Sequence, residues 1–474
     1  MLKQASMQGI LERQREALAA ARPEPLSVRR DRLERLVALG RERGEGLASA
    51  MSADFGHRSR QQSMLTDIGP GVGAAKYCLK NLARWARPER RKMPFPLGLL
   101  GAKAEVRYEP KGVVGIVSPW NFPVGLTLSP LAQALAAGNR AMLKPSEFTE
   151  RTSEAMAEAV AAFFAEDEVA CVLGGPEVGQ AFCKLPFDHL LFTGATAIGR
   201  HVLHAAADNL VPVTLELGGK SPAILGRSAD IKRAGERIAL GKMMNAGQIC
   251  LAPDYMLVPE DKEGEAIGAI RDSVAAMYPT LVGNEDYTAV VNARHRERLT
   301  GLVADAVAKG AEAIEVNPAG EDFSTANLNK LPLTILRNVD DSMAAMRDEI
   351  FGPVLPVKTY KALDEAIDYV NAHDRPLGLY VFAEDAAERE RVLTRTISGG
   401  ATVNDVIWHC GIDDLPFGGV GASGMGAYHG PEGFKTFSHA RAVFSQPRLD
   451  VAKLAGLKPP YGKAAARAIA MAMK

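Results

Sequence analysis

Two residues in glycine-rich segments have the types and spacing of a nucleophile and a base. Cys250 lies in MMNAGQICLAPD, and Glu216, thirty-four positions upstream (250 − 216), lies in VTLELGGKSP. A cysteine thiolate is a soft nucleophile that forms thioesters, and a carboxylate can activate the water that hydrolyses one. Asn121 in SPWNFPV adds a side-chain amide. A lone cysteine is more often a small buried hydrophobe, so the hypothesis rests on the set.

The bulk composition is that of a globular protein with more than one domain. The chain has 474 residues, of which 47% are hydrophobic and 24% charged, and this length predicts two or three domains. The chain has 56 lysine and arginine residues and 56 aspartate and glutamate residues. With no net charge, the protein has no overall field that attracts nucleic acid or an anionic membrane. We therefore expect neither as a partner.

The cysteine pattern indicates a reducing compartment. The five cysteines are scattered and form no CxxC pair, which argues against a disulfide framework and against a zinc site. The N-terminal MLKQASMQGILERQREAL has a charged amphipathic pattern rather than the apolar core of a signal peptide. No apolar run approaches the roughly 20 residues that span a bilayer, and we therefore expect a cytoplasmic protein. From the cysteine pattern we expect no metal site.

Hydrophobic periodicity places these residues in a mixed α/β chain. The first ninety residues have helical spacing, and MPFPLGLLGAKAEVRYEP then predicts a protruding hairpin near 94–108. From 111 to about 225, and again to about 405, short apolar runs alternate with helical patterns, which is typical of parallel sheets. KTFSHARAVFSQPR predicts an edge strand, and the tail after Pro459-Pro460 predicts a surface helix or a subunit contact.

The literal GxGxxG pattern is in the wrong context for a dinucleotide loop. It occurs once, at Gly419, Gly421 and Gly424, where no strand precedes it and no βαβ unit follows. A looser GxGxxA match in the range 69–74 fails in the same way. We therefore reject both as the cofactor loop.

A better candidate loop lies in HLLFTGATAIGRHVLHAAA. Gly194 and Gly199 flank a predicted strand-to-helix turn there. The N-terminus of a helix favours a pyrophosphate, and glycines allow its close approach to the backbone. Such turns occur throughout α/β proteins, so the turn alone does not decide the function.

Seven segments, in this order and spacing, resemble those of the aldehyde dehydrogenase superfamily. They are SPWNFPV (118–124), KPSE (144–147), FTGATAIGR (192–200), LELGGKSP (215–222), GQIC (247–250), EIFGPV (349–354) and LPFGGVGASG (415–424). NDVIWH and LPFGGVGASGMGAYHGPEGF resemble the class 3 and fatty aldehyde branch, and most closely the bacterial coniferyl aldehyde dehydrogenases. This resemblance implies NAD(P)-dependent oxidation of an aldehyde.

The resemblance also implies the fold and its division. We expect an α/β protein with a Rossmann-like NAD(P)-binding domain, an α/β catalytic domain and a small bridging hairpin. The implied ranges are 1–93 and 109–218 for cofactor binding, 219–425 for catalysis, and 94–108 and 426–474 for bridging and oligomerisation. By analogy with class 3 relatives, we expect a homodimer.

The family roles of the three catalytic candidates follow from the resemblance. Cys250 would attack the aldehyde to form a thiohemiacetal, with its pKa lowered by a nearby nicotinamide cation and oriented N–H groups. Asn121 and the backbone N–H of Cys250 would donate to the oxyanion. Glu216 would activate water to hydrolyse the thioester, and its presence favours a free acid over transfer to coenzyme A. The other four cysteines match no family site, and we expect them to be inert.

The resemblance assigns the cofactor contacts in the same way. Lys144 and Glu147 match residues at the adenosine ribose, where the acid favours NAD and the lysine keeps NADP as an alternative. Gly194 and Gly199 would approach the pyrophosphate, without the serine that many relatives have at position 195. Further matches are Ile198 at the adenine end, Trp120 and Phe351 beside the nicotinamide, and Glu349 at its ribose.

The substrate contacts are the least determined part of the sequence. The candidate funnel residues are apolar and partly aromatic: Phe122, Met243, Met244, Ile249, Leu251 and Trp408. Trp408 and His409 are candidate contacts at the mouth; a core tryptophan and a solvated histidine are the alternative. The set predicts a hydrophobic aldehyde, either an aromatic one such as coniferyl aldehyde or a medium- to long-chain fatty aldehyde.

Two other classes of protein fit the sequence less well. A cysteine hydrolase would need a histidine in a comparable motif, and none of the nine histidines has one. A non-catalytic protein of the same fold would be expected to lack Cys250 or Glu216. A membrane-bound fatty aldehyde enzyme is disfavoured by the short tail.

Overall fold

The fold is that of a computed structural model, which describes residues 4–95, 97–323, 329–454 and 456–473. Its α-helices are α1 (Gln4–Ala20), α2 (Leu26–Phe55), α3 (Arg60–Ser63), α4 (Gly69–Trp85), α5 (Gly125–Ala137), α6 (Glu150–Phe163), α7 (Pro176–Cys183), α8 (Thr196–Ala207), α9 (Ile231–Met243), α10 (Glu263–Met277), α11 (Ala293–Ala308), α12 (Ala344–Arg347), α13 (Leu363–Asn371), α14 (Ala386–Arg395), α15 (Gly430–Thr436), α16 (Val451–Leu454) and α17 (Lys463–Ala472). The helical N-terminal ninety residues agree with the predicted periodicity.

The strands within these ranges form three sheets. They are β1 (Glu89–Arg91), β2 (Lys103–Pro110), β3 (Val113–Val117), β4 (Arg140–Lys144), β5 (Val169–Cys171), β6 (His189–Thr193), β7 (Val213–Glu216), β8 (Pro222–Leu225), β9 (Tyr255–Pro259), β10 (Glu312–Val316), β11 (Leu333–Arg337), β12 (Val354–Tyr360), β13 (Gly378–Phe382), β14 (Gly400–Val403), β15 (Gly424–Met425) and β16 (Ser438–Ser445). Short 3₁₀ and π turns connect several of the elements.

The first sheet has the strand order of a dinucleotide-binding fold. Its order is β15-β7-β6-β3-β4-β5, in which the five strands from β3 to β7 are parallel and β15 is antiparallel. Taken along the chain from β3, the parallel strands have the spatial order 3-2-1-4-5. In such sheets a ligand binds at the carboxyl ends of the strands, where the order reverses. Here that point lies between β3 and β6.

The second sheet carries the rest of the α/β region. Its order is β10-β11-β12-β9-β8-β13-β14, and all neighbours are parallel except β10 and β11. Its central strands are buried along their length because helices cover both faces, which explains the continuous apolar runs in the sequence. The chain passes from the first sheet to the second between Glu216 and Pro222. The domain limits read from the sequence stay a prediction.

The third sheet corrects the predicted hairpin. β2 pairs with β1 on one side and, over all eight of its residues, with β16 on the other. The strands of the hairpin therefore lie at 89–91 and 103–110, and residues 94–102 belong to the connection rather than to a strand, with position 96 outside the described residues. The expected edge strand near the C-terminus is β16. No helix of the described ranges is long and apolar enough to cross a membrane.

Candidate active site

Cys250 follows a turn of left-handed residues at the end of α9. Asn245, Ala246 and Gly247 have φ values of 49°, 51° and 73°. A side chain at position 247 would collide with the carbonyl oxygen of Gly352, so only glycine fits that position. The turn reverses the chain and presents Cys250 to the carboxyl ends of the first sheet.

The Gln248 side chain fixes this turn. Its Nε2 donates to the carbonyl oxygens of Asn245 (2.8 Å) and Ala289 (3.0 Å), and its Oε1 accepts from the Val291 N–H at 2.9 Å. Because the side chain is fully buried, all three bonds are protected from water. The glutamine of the GQIC segment therefore positions Cys250.

Asn121 lies against the same turn. Its Nδ2 donates to the Gln248 carbonyl oxygen at 3.1 Å, which uses one of the two amide hydrogens. Its backbone carbonyl accepts from Arg58 Nη1 at 2.7 Å, and Arg58 in turn pairs with Asp67 at 3.2 Å; both members of this pair are fully buried. Burial raises the pKa of Asp67 to about 6, with the nearby Arg58 acting in the opposite direction. The second amide hydrogen of Asn121 is available to a ligand.

Glu216 is the last residue of β7 and is almost completely buried. Neither of its carboxylate oxygens has a hydrogen-bond partner within the described ranges. Burial raises the pKa of this carboxyl well above its ordinary value, because the charged form loses hydration without compensation. The free energy cost of such a group points to a ligand or water as its partner during function.

The rejected GxGxxG motif holds Glu216 in place. Gly424 of that motif is the antiparallel partner of Glu216, and the Leu217 N–H donates to the Ser423 carbonyl oxygen at 3.1 Å. On the other side of β7, the Gly194 N–H donates to the carbonyl oxygen of Glu216 at 3.0 Å. The motif therefore belongs to the site, although not as a phosphate loop.

The surroundings of Cys250 disfavour its thiolate form. Burial raises its pKa well above the ordinary value, and the charges of Glu349, Cys410 and Glu216 act in the same direction, against its own backbone N–H. The expectation of a lowered pKa therefore depends on a cation that binds here. Cys410, which we expected to be unrelated to the site, lies within electrostatic reach of Cys250.

A cavity of about 1600 Å³ connects most of the predicted residues. Those that line it are Trp120, Asn121, Lys144, Glu147, Gly194, Ile198, Glu216, Cys250, Glu349 and Phe351. Gly199 is not among the lining residues: a side chain there would come within 2.7 Å of Leu217, so this glycine lets α8 pack on the chain after β7. Cys183, which we expected to be inert, lines the cavity as well.

The two ends of the cavity differ in chemistry. At one end the buried Lys144 donates to the Pro145 carbonyl oxygen at 2.7 Å and lies 3.7 Å from Glu147, while burial lowers its pKa. Near the Cys250 end, the ring of Trp120 lies 5.3 Å from that of Phe351. Burial raises the pKa of Glu349 to about 8, with Asp254 adding to the rise and the Gly219 N–H opposing it.

The candidate substrate contacts are placed differently from the expectation. Phe122, Ile249, Trp408 and His409 do not line this cavity. Trp408 is 61% exposed, whereas His409 is buried and its Nδ1 lies 2.8 Å from the Thr402 hydroxyl. The prediction of His409 as a contact at the mouth is therefore wrong, and so is the alternative of a core tryptophan beside a solvated histidine.

The remaining funnel candidates are mostly core residues. Phe122 and Met244 are half-buried and pack on the apolar cluster that also holds Cys250, to which the buried Ile249 and Leu251 belong. Met243 is buried in the core of the second sheet, which excludes it from a funnel. Phe122 lies under the guanidinium of Arg58, 5.2 Å from its ring centre.

Several residues of the site were missed by the sequence reasoning. His295 and Arg298 of α11 line the cavity, and the ring of His295 lies 5.1 Å from that of Trp120. Their segment RHRERL reads as an ordinary charged helix, so no local pattern distinguishes them. No group of three or more His, Cys, Asp or Glu within the described ranges is arranged to hold a metal ion.

The site as a whole is suited to covalent chemistry on a carbonyl group. One end of the cavity combines a thiol, a free amide hydrogen and a carboxylate with a raised pKa. The long arm toward Lys144 is large enough for an extended ligand and passes the N-terminus of α8, where a phosphate is favoured. These are the requirements for a covalent reaction beside a bound dinucleotide.

Comparison with known proteins agrees with this chemistry. A model of the "Aldehyde dehydrogenase family" matches residues 2–443. A "probable coniferyl aldehyde dehydrogenase" of Caulobacter vibrioides is 54% identical over 97% of this chain and 95% of the relative. A "coniferyl aldehyde dehydrogenase" of Pseudomonas sp. strain HR199 is 52% identical over 96% and 93%, and mouse "aldehyde dehydrogenase family 3 member A2" is 41% identical over 90% and 86%.

Solved structures of similar proteins have the same fold. The substrate-bound state of Staphylococcus aureus AldH superposes with a TM-score of 0.91, at 35% identity and over 99% of both chains. A betaine aldehyde dehydrogenase from the same organism, in complex with NAD⁺, has a TM-score of 0.82 at 26% identity and covers 93% of this chain and 87% of its own. Motifs, site and comparisons agree, and the chain belongs to the aldehyde dehydrogenase family.

Proposed function

We propose that this enzyme oxidises a hydrophobic aldehyde, with coniferyl aldehyde as the leading candidate, to the carboxylic acid. The observation that carries the proposal is the buried carboxylate of Glu216, which has no hydrogen-bond partner among the described residues and lies at the same end of the cavity as Cys250. The names of the two coniferyl aldehyde dehydrogenases, at 54% and 52% identity, support the choice of substrate.

Cys250 performs the first step. Its thiolate attacks the aldehyde carbon, so that a C–S bond forms and the carbonyl oxygen becomes an oxyanion. The free amide hydrogen of Asn121 and the backbone N–H of Cys250 are the donors that we assign to this oxygen. Because Asn121 is held to Gln248 and, through Arg58, to Asp67, its amide is oriented before the substrate arrives.

The cavity residues fit NAD, with NADP as an alternative. Near Glu147 and Lys144 a carboxylate and a buried ammonium can meet the hydroxyls of the adenosine ribose, and Gly194 and Ile198 border the path past α8. Glu349, whose Oε1 has no partner in the described ranges, would hold the nicotinamide ribose, and Phe351 and Trp120 would border the ring. When bound, the oxidised dinucleotide would supply a positive charge beside the thiol and would accept the hydride that the substrate carbon loses as its C=O bond re-forms to give the thioester.

Replacing Gly218 with alanine should weaken cofactor binding without removing any functional group. A Cβ atom at this position would overlap the Glu349 carboxylate and displace it. Loss of the hydrogen bond from the ribose to this carboxylate should cost about 1.5–3 kcal/mol of binding free energy, so we expect the dissociation constant of NAD⁺ to rise by roughly 10-fold or more. Titration with the cofactor measures this value. Gly268, where a Cβ meets nothing within 4 Å, gives the matched control, and equal affinity of both variants would contradict the role of Glu349.

Glu216 performs the last step. Its carboxylate takes a proton from water as the water oxygen attacks the thioester carbon, the C–S bond breaks, and the thiolate of Cys250 is regenerated. The raised pKa makes it a stronger base than an exposed glutamate once it is ionised. One water is consumed, and the product is the free acid.

A substrate panel tests the proposal. We expect kcat/KM to be highest for coniferyl aldehyde, lower for benzaldehyde and hexanal, and lowest for succinate semialdehyde. The side chains packed with Cys250 are mainly apolar, and the nearby Arg58 is already paired with Asp67, so a second carboxylate on the substrate would be poorly solvated. Product acids are measured by liquid chromatography with NAD⁺ and with NADP⁺. A fatty aldehyde preferred over coniferyl aldehyde would favour the medium- to long-chain alternative. A preference for succinate semialdehyde would contradict the hydrophobic substrate class.

The division of the chain and its assembly belong to the same proposal. We assign cofactor binding to residues 1–93 and 109–218 and catalysis to 219–425, with the remaining segments in bridging and oligomerisation. The β16 edge strand, with an exposed Phe444, supports a homodimer, which light scattering would test against a monomer. Five free cysteines support a reducing compartment such as the cytoplasm.

A further inference from the structure

The geometry points to Lys220 and Asp254 as positioning residues. They hold the connection between α12 and β12, residues 348–353, close to both Cys250 and Glu216; we call this connection the Glu349 loop. Lys220 lies four residues after Glu216, and Asp254 lies four residues after Cys250. Their side chains form an ion pair that is largely buried. The inference rests on the roles proposed above for Cys250, Glu216 and Glu349.

Lys220 anchors the beginning of the loop that carries Glu349. Besides pairing with Asp254, its Nζ donates to the carbonyl oxygens of Ala345 (2.8 Å) and Asp348 (3.0 Å). All three ammonium hydrogens are thereby used. The chain that leaves Glu216 is therefore bound directly to the segment that ends at Glu349.

Asp254 anchors the other side of the loop. Its Oδ1 accepts the backbone N–H of Ile350 at 2.9 Å, while its own backbone N–H donates to the Ser221 carbonyl oxygen at 2.8 Å. The chain that leaves Cys250 is thus joined to the residue after Glu349 and to the residue after Lys220. Charge-assisted bonds of this kind restrict geometry more strongly than neutral ones.

Two further contacts complete the attachment of the loop. Arg298 donates to the carbonyl oxygens of Glu349 (3.3 Å) and Ile350 (2.6 Å), and the Gly219 N–H bonds the Glu349 carboxylate. Of these links, the ion pair is the one that joins three parts of the chain: the residues after Glu216, the residues after Cys250 and the Glu349 loop. Its loss would let the Glu349 segment shift relative to Cys250.

A purely structural role and a positioning role of the ion pair predict different results for a variant in which both Lys220 and Asp254 are replaced. Removing one partner of a buried ion pair leaves an uncompensated charge, whereas removing both often restores stability. In Lys220→Met/Asp254→Asn the amide can still accept from Ile350, but the anchors to Ala345 and Asp348 are lost. A purely structural pair predicts normal kinetics once stability is restored. A positioning pair predicts a kinetic defect that persists.

The experiment compares Lys220→Met, Asp254→Asn and the double variant with wild type. As control we choose Glu24→Gln, which disrupts another buried ion pair, with Arg32 at 2.7 Å, whose residues do not line the cavity. We measure the thermal midpoint, the NADH dissociation constant by fluorescence, KM for NAD⁺, kcat, and the rate of Cys250 alkylation with and without NAD⁺ by peptide mass spectrometry.

We expect the double variant to melt near wild type yet to lose about 100-fold in kcat/KM, since misplacement by about 1 Å can have such an effect. Its NADH affinity and the effect of NAD⁺ on Cys250 alkylation should fall with it, while the control changes only the midpoint. If the kinetic constants of the double variant stayed within about twofold of wild type, the inference would be overturned. If Cys250→Ala retained full turnover, the proposed function would fail instead, and the two results are therefore distinguishable.

Discussion

Replacing Cys250 with alanine should abolish aldehyde oxidation while leaving the cofactor cavity intact. In the proposed mechanism the thiol, which lines the cavity, is the nucleophile, and without it no thiohemiacetal or thioester forms. Loss of a covalent nucleophile commonly lowers kcat by on the order of 10⁴-fold or more. Formation of NADH and of acid from coniferyl aldehyde measures the effect, with NADH binding as the test that the fold is retained.

Two other cysteines provide matched controls for this variant. Cys410 lies within electrostatic reach of Cys250, and Cys183 lines the cavity. We expect Cys410→Ala and Cys183→Ala to retain turnover, because neither thiol has the turn and the amide donor that surround Cys250. Full activity of the Cys250 variant, or equal loss in all three, would refute a specific nucleophile at this position.

Replacing Glu216 with glutamine should stop the reaction at the thioester. The amide keeps the size of the side chain but cannot take a proton from water, and a general base contributes about 10²- to 10⁴-fold. We expect a rapid burst of NADH that approaches one equivalent per site, followed by a slow steady state. Intact-mass spectrometry should detect the acyl group on Cys250. Glu388→Gln, in a surface network with Ser228, is the control.

The rate of thioester hydrolysis should change with pH in a definite direction. Because burial raises the pKa of Glu216, the protonated form persists to a higher pH than for an exposed glutamate. Only the carboxylate acts as a base, so the hydrolysis rate of the acyl-enzyme should rise as pH increases through this pKa. The Glu216→Gln variant should lack that rise. A burst-free time course, or a pH profile equal to that of wild type, would contradict the assignment.

The sequence motifs and their family resemblance were sufficient to propose catalytic residues that the fold brings to one cavity. Cys250, Glu216 and Asn121 lie in distinctive glycine- or proline-containing segments, and the alternation of apolar runs and helical patterns predicts the α/β sheets that position them. Buried parallel strands leave continuous apolar runs because helices cover both faces. The Gly194 turn was likewise chosen over the literal GxGxxG because it follows a strand.

Long-range contacts were beyond the sequence. Nothing local distinguishes Trp408 from His409, yet the fold exposes the first and buries the second against Thr402. Nor does local composition fix the ends of a hairpin: its strands lie at 89–91 and 103–110, and the second of them also pairs with β16, more than three hundred residues away. Such pairings depend on which surfaces meet in space, and no short window of sequence contains that information.

Cys250 and Glu216 show what the sequence determines by itself and what the fold decides. Residue type and flanking turns indicate a nucleophile in one case and a base in the other, because a thiol and a carboxylate can play these roles by their own chemistry. Their electrostatic state was decided only by the tertiary structure: burial raises both pKa values, and for Cys250 neighbouring acidic groups add to the rise. The fold also decides what joins them: Lys220 and Asp254, each four residues downstream, meet across two elements and hold the Glu349 loop. Hydration and distance are properties of the packed chain, and they set the chemistry that the residue types permit.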